Sequence, residues 1–112
     1  MALTIWHNPR CSKSRQTLAL IEAREPTVRL YLTDAPSEAE QRAAATALGV
    51  APIKMMRSGE PEFKAESLSQ DSSEDTLFAA MARMPKLIER PIVFAGEKAV
   101  IGRPPEAVLS LL

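Results

Sequence analysis

The sequence is poor in the residues that build disulfides and metal sites, with one cysteine and one histidine among 112 residues. No internal disulfide can form, which argues against a secreted, disulfide-held protein and favours a reducing, cytoplasmic setting. A zinc site of cysteine and histidine ligands is excluded as well, and we expect no bound metal. No apolar run approaches the length that spans a bilayer, and the N-terminal stretch lacks the features of a signal peptide.

A net charge of either sign is also missing, because 14 basic residues balance 14 acidic ones. Proteins that bind nucleic acid or a membrane surface usually carry a basic patch, so we expect neither partner. Hydrophobic residues make up 46% of the chain, an ordinary value for a globular domain. We therefore predict a single domain over residues 1–112 with its own core, and we expect a monomer.

The first third of the sequence predicts a β-α-β unit. Residues 3–7 (LTIWH) are rich in strand-forming side chains and end at the turn signal Asn8-Pro9. Residues 13–23 place apolar side chains on one face of a helix. Residues 28–32 (VRLYL) alternate in polarity and predict a second strand.

The middle of the sequence predicts mainly helix. Ser37 and Glu40 have the spacing of a capping box, and the helix that they begin continues to Leu48. Proline, glycine and charged residues interrupt residues 52–73, which predicts short helical turns and loops. Another helix is predicted over residues 75–84.

The last third predicts strands again. Residues 92–95 and 99–101 form a hairpin around a Gly-Glu turn, and residues 105–112 form an apolar closing helix. The whole order is β-α-β, then helices, then β-β-α, which predicts an α/β fold with a central sheet covered by helices. This order resembles the thioredoxin-like fold, with a helical insert at about residues 37–85 between the two halves.

Cys11 is the strongest candidate for a chemical role. A free cysteine is usually a small buried hydrophobe, but Cys11 lies in a polar strand-to-helix loop between Arg10 and Ser12-Lys13. A helix N-terminus and neighbouring cations both stabilise a thiolate, and the thiolate is the nucleophilic form. The surroundings therefore favour a nucleophilic cysteine over a core residue.

Two neighbouring polar residues have both a functional and a structural interpretation. Ser14 lies one helical turn after Cys11, where its hydroxyl could donate a hydrogen bond to the sulfur, although serine is also common at a plain helix start. His7 precedes the loop and could serve as a general base or orient the site, although a lone histidine at a strand end is more often structural.

Four segments in order along the chain resemble one protein family. Residues 7–15 (HNPRCSKSR) are similar to the catalytic loop H-N-P-x-C-x-x-S-R of the ArsC-type arsenate reductases, which depend on glutathione and glutaredoxin. Residues 89–93 resemble the family's R-P-I-V segment, and residues 102–106 resemble its R-P-x-E segment. Residues 56–61 resemble a weaker R-x-x-E stretch. Together they cover nearly the whole chain.

This resemblance implies a thioredoxin-like fold and the reduction of arsenate to arsenite by Cys11. It assigns roles to six further residues: Arg57, Arg90 and Arg103 as ligands of the oxyanion, His7 and Ser14 as groups that tune the thiolate, and Pro91 as the cis-proline that faces the cysteine. Most surface arginines are merely solvated, but Arg90 and Arg103 each precede a proline at a strand edge, where rigid backbone can aim a side chain. The family implies no bound cofactor, glutathione as co-substrate and glutaredoxin as partner.

Two other functions are compatible with the same fold. One is a thiol-based regulatory module, although Ser14 occupies the second position of the C-x-x-C pair and prevents a dithiol switch. The other is a general thiol oxidoreductase, or an iron–sulfur carrier of the monothiol glutaredoxin type, without efficient arsenate turnover. The set of arginines suits an inorganic oxyanion better than a peptide or a cluster.

Overall fold

The computed structural model describes residues 2–112, which divide into two units. The first unit consists of the residues up to Asp34 together with Arg90–Leu112. The second unit is Ala35–Glu89, and it contains the segment predicted as a helical insert. The two units are described separately below.

A mixed four-stranded sheet forms the centre of the first unit. Its strands are β1 (Leu3–Trp6), β2 (Thr27–Arg29), β3 (Ile92–Ala95) and β4 (Lys98–Ile101), and their order in the sheet is β2-β1-β3-β4. β1 is parallel to β2, whereas β3 is antiparallel to both β1 and β4. This is the predicted β-α-β and β-β-α arrangement, and the predicted thioredoxin-like α/β fold is confirmed.

Two helical segments cover this sheet. Helix α1 (Ser12–Ile21) follows β1 and continues into a 3₁₀ turn at Glu22–Arg24. The closing segment Pro105–Leu111 is helical as predicted, but it is a 3₁₀ helix rather than an α-helix. Together with the sheet they bury an apolar core that includes Leu3, Ile5, Ile21, Val93, Ala95 and Val108. Burial of these side chains on the sheet stabilises α1 and so fixes where its N-terminus lies.

The second strand differs from its prediction. The alternating sequence predicts a strand over residues 28–32, but β2 ends at Arg29. The chain then turns, because the N–H groups of Thr33 and Asp34 both donate to the carbonyl of Leu30. An ion pair of 3.3 Å between Arg29 Nε and an Asp34 carboxylate oxygen spans the same turn. The apolar residues in this stretch therefore belong to a turn instead of an extended strand.

The second unit is helical. It contains α2 (Glu38–Leu48), α3 (Pro61–Ala65) and α4 (Glu74–Arg83), with 3₁₀ turns at Pro52–Met55 and Pro85–Leu87. The predicted capping box is confirmed: Ser37 Oγ accepts from Glu40 N, and the Glu40 carboxylate accepts from Ser37 N. Within residues 2–112, no helix combines the length and the apolar character of a membrane span.

Candidate active site

Cys11 is the N-cap residue of α1. Its backbone is extended (φ −95°, ψ 123°), its carbonyl accepts the first helical hydrogen bond from Arg15 N at 3.0 Å, and its side chain is partly exposed. The N–H groups that follow it have no acceptor within the helix, so they point a partial positive charge at the cysteine. The predicted location of Cys11 at the helix start is confirmed, and a core position is excluded.

The loop that leads to Cys11 is held by two hydrogen bonds to Asn8. The Asn8 side-chain oxygen accepts from Arg10 N at 3.0 Å, and the Asn8 carbonyl accepts from Cys11 N at 3.0 Å. Asparagine commonly stabilises a turn in this way, by accepting from the backbone two residues further on. The direction of the cysteine therefore depends on Asn8, which the sequence pattern indicates only as a turn residue.

Ser14 connects the first turn of α1 to the start of the loop. It is fully buried, its Oγ lies 2.7 Å from His7 Nδ1, and it accepts from Asn8 N at 3.0 Å. In the described residues the hydroxyl thus bonds to His7 and Asn8, and no hydrogen bond joins it to the sulfur. Any influence of Ser14 on Cys11 therefore acts through the shape of the loop.

His7 is buried at the end of β1, and its N–H donates to the carbonyl of Arg29 at 2.8 Å. Burial lowers the pKa of His7 below its usual 6.5, and the positive charge of Arg15 lowers it further. The ring is therefore neutral at pH 7, and its Nδ1 can either donate to Ser14 or accept from it. A neutral imidazole keeps a positive charge out of this buried site.

Arg103 is the arginine that directly contacts the cysteine. Its Nη2 lies 3.9 Å from Cys11 Sγ, and its Nε donates to the carbonyl of Arg90 at 2.8 Å. The second bond fixes the plane of the guanidinium, so the group is oriented before any ligand binds. The contact places a fixed positive charge beside the sulfur.

The other predicted oxyanion ligands have different surroundings. Arg90 is half-buried and provides the carbonyl that orients Arg103, and its bond to Pro91 is cis, as the family resemblance implies. Arg57 belongs to the second unit, where its guanidinium pairs with Glu60 at 2.6 Å and with Glu89 at 3.8 Å. The first unit therefore brings Cys11, Arg103 and the backbone of Arg90 together.

Gly102 allows the close packing that brings Arg103 to this place. Its N–H donates to the carbonyl of Pro91 at 2.9 Å, and a Cβ atom on Gly102 would lie 2.6 Å from Thr17 Oγ1 and 2.8 Å from Pro91 Cγ. Only a residue without a side chain fits between the cis-proline and α1. The sequence pattern does not predict this close packing, because it depends on which segments meet in space.

These features define a class of protein. A β2-β1-β3-β4 sheet, a cysteine at the N-terminus of the first helix and a cis-proline before β3 describe a thioredoxin-like protein with one free cysteine. Among the residues that the structure describes, no three histidine, cysteine, aspartate or glutamate side chains are grouped so that they could hold a metal ion.

Comparison with known proteins identifies the family. Residues 6–111 match the ArsC family. An arsenate reductase of Haemophilus influenzae is 46% identical over 116 aligned positions, which span 100% of both chains. YfgD of Escherichia coli, named an uncharacterized protein, is 47% identical over 96% of this chain and 94% of its own. The solved structure of an arsenate reductase from Vibrio cholerae has 48% identity and a TM-score of 0.94, covering 100% of this chain and 98% of its own. The chain belongs to the ArsC family.

Replacing Gly102 tests the close packing around the cis-proline. We expect Gly102→Ala to lower the free energy of unfolding by roughly 1–3 kcal/mol, because the added methyl group must push Thr17 or Pro91 aside. Gly59→Ala is the matched control, since nothing lies within 4 Å of a Cβ atom there. Urea unfolding of both variants measures the difference. Equal stability of the two variants would contradict the packing described here.

The lowered pKa of His7 predicts a pH dependence of stability. Between its pKa in the folded protein and 6.5, the unfolded chain binds more protons, so the free energy of unfolding falls as the pH is lowered through this range. His7→Gln should make that fall shallower. The ring resonances of the single histidine can be followed by NMR during titration, and a midpoint at or above 6.5 would show that burial does not act as described.

Proposed function

We propose that this protein is an arsenate reductase in which Cys11 is the nucleophile. The contact that carries the proposal is the 3.9 Å approach of Arg103 Nη2 to Cys11 Sγ, made by a guanidinium that the Arg90 carbonyl already orients. The arsenate reductases among its relatives support arsenate as the substrate. The enzyme then works in the cytoplasm as a monomer, with no bound metal or cofactor.

The reaction begins with attack of the Cys11 thiolate on arsenic. A sulfur–arsenic bond forms, an arsenic–oxygen bond breaks, and the leaving oxygen departs as water after it takes up protons. Arsenic remains pentavalent in this adduct, so the step itself transfers no electrons to it. Arg103 stabilises the negative charge on the arsenate oxygens as the adduct forms, because its guanidinium is fixed beside the sulfur.

Reduction requires a second thiol, which must come from outside because the chain has one cysteine. Two thiols become one disulfide, and the two electrons that they release reduce arsenic from the +5 to the +3 state. We propose that glutathione supplies this thiol and that glutaredoxin regenerates free Cys11. The partial exposure of Cys11 supports attack by a thiol from outside the protein.

The proposal includes two more arginines and two neighbours of the loop. Arg90 binds arsenate together with Arg103, because a tetrahedral oxyanion can accept hydrogen bonds from several guanidinium groups, and Arg57 is proposed as an oxyanion ligand as well. For Arg57 this role rests on the family resemblance, and it requires the guanidinium to exchange part of its pairing with Glu60 for the oxyanion. His7 and Ser14 tune the thiolate by holding the loop in shape.

An assay of arsenate reduction with glutathione and glutaredoxin tests this function directly. We expect arsenite to form with that pair and not with thioredoxin and its reductase. Cys11→Ser should abolish turnover while leaving the free energy of unfolding nearly unchanged, because the side chain is partly exposed and its loss leaves no cavity. Release of arsenite by the Ser variant would rule out Cys11 as the nucleophile. Reduction of a small mixed disulfide without reduction of arsenate would favour a general thiol oxidoreductase.

Substitution of Arg103 tests whether its guanidinium binds the oxyanion. Arg103→Lys keeps the charge but loses the planar guanidinium that holds both the Arg90 carbonyl and the sulfur. Hydrogen bonds to charged groups contribute roughly 1.5–3 kcal/mol, so kcat/KM for arsenate should fall about ten- to hundredfold. Arg24→Lys, in the exposed turn after α1, is the matched control. Unchanged kcat/KM in the Arg103 variant would contradict the proposal.

A further inference from the structure

Arg15 forms hydrogen bonds with two residues of the loop that carries the cysteine, Pro9 and Cys11. Its guanidinium Nη1 donates to the carbonyl of Pro9 at 2.9 Å, and its backbone N–H donates to the carbonyl of Cys11 at 3.0 Å. The side chain therefore reaches back from α1 to the loop that precedes the helix. Arg15 is the only residue here that joins Pro9 to α1 by a side-chain hydrogen bond among the described contacts.

The loop needs such a contact because of its composition. The nitrogen of Pro9 has no hydrogen, so its carbonyl is the one backbone group through which this residue can form a hydrogen bond. Asn8 holds the two residues that follow Pro9 by accepting from Arg10 N and Cys11 N, and Ser14 accepts from Asn8 N. Without Arg15, none of the hydrogen bonds found among residues 2–112 would join the Pro9 carbonyl to a side chain of α1.

We propose that Arg15 is a positioning residue, which holds the Pro9-Arg10 turn so that Cys11 stays within reach of Arg103. Arg15 itself does not bind the oxyanion. Its catalytic meaning rests on the proposed reductase function. The placement of the loop and the thiol does not, and it can be measured without arsenate turnover.

The charge of Arg15 and its hydrogen bond to Pro9 both help to maintain the conformation of the loop. The charge helps to keep His7 neutral, and the neutral ring remains bonded to Ser14 at the other end of the loop. Arg103 differs from Arg15 in this respect, because its guanidinium contacts the sulfur itself. The two arginines should therefore affect different properties of the site.

Two measurements separate positioning from oxyanion binding. The rate at which iodoacetamide, a neutral reagent, alkylates Cys11 reports the placement and reactivity of the thiol. The sulfate concentration that halves this rate reports oxyanion binding beside the thiol. Arg15→Gln and Arg15→Lys are compared with Arg103→Lys and with Arg10→Gln, which removes a neighbouring exposed charge. Thermal unfolding of each variant identifies a general loss of structure.

We expect Arg15→Gln to slow alkylation about three- to tenfold, the effect of one lost hydrogen bond, with sulfate protection unchanged. Arg15→Lys keeps a cationic donor and should fall between Arg15→Gln and the parent. Arg103→Lys should weaken sulfate protection, and Arg10→Gln should change alkylation less than Arg15→Gln does. If Arg15→Gln does not fold, Arg15→Lys carries the test by the same two readouts.

Two outcomes would overturn the proposal. If the Arg15 variants are alkylated at the same rate as the parent protein, the contact with Pro9 does not position the thiol. Weakened sulfate protection equal to that of Arg103→Lys would make Arg15 a ligand of the oxyanion instead. Failure of the reductase proposal looks different, because arsenate would then not be reduced even by the parent protein while the alkylation results could still agree with the role of Arg15.

Discussion

The candidate active site depends on the guanidinium of Arg103, which forms hydrogen bonds with both the Arg90 carbonyl and the Cys11 sulfur. Arg103 donates through Nε to the Arg90 carbonyl and approaches Cys11 Sγ with Nη2, so a backbone group on one side fixes a cation on the other. Such a group needs little reorganisation when negative charge develops on a substrate. Gly102 makes this arrangement possible, because the chain passes too close to α1 and Pro91 for any Cβ atom.

Cys11 itself is held by residues that precede and follow it closely in sequence. Asn8 and Ser14 form the hydrogen bonds of the loop and the first helical turn, and Arg15 returns from the helix to Pro9. The position of α1 in turn depends on the apolar core, through residues such as Ile21 and Val108. The geometry of the thiol is thus local, whereas its contact with Arg103 joins residues that are far apart in the sequence.

The elements with strong local signals could be predicted from the sequence. The capping box at Ser37, the hairpin and the helix start at Cys11 have this property, because turn, cap and periodicity determine them locally. The bounds of β2 could not be predicted, since the alternation of residues 28–32 suits a strand while the Leu30 carbonyl accepts from Thr33 and Asp34 and closes a turn. The roles of Gly102 and Arg15 depend on which segments meet in space, and composition alone does not reveal that.

The central claim is that Arg103 holds charge beside the Cys11 sulfur in the reacting protein. A crystal structure of the Cys11–arsenate adduct, formed with arsenate and without a second thiol, measures this most directly. We predict that Arg103 Nη2 donates to an adduct oxygen while its Nε remains on the Arg90 carbonyl. An adduct whose oxygens all lie outside hydrogen-bond distance of Arg103, with the guanidinium turned toward solvent, would contradict the claim.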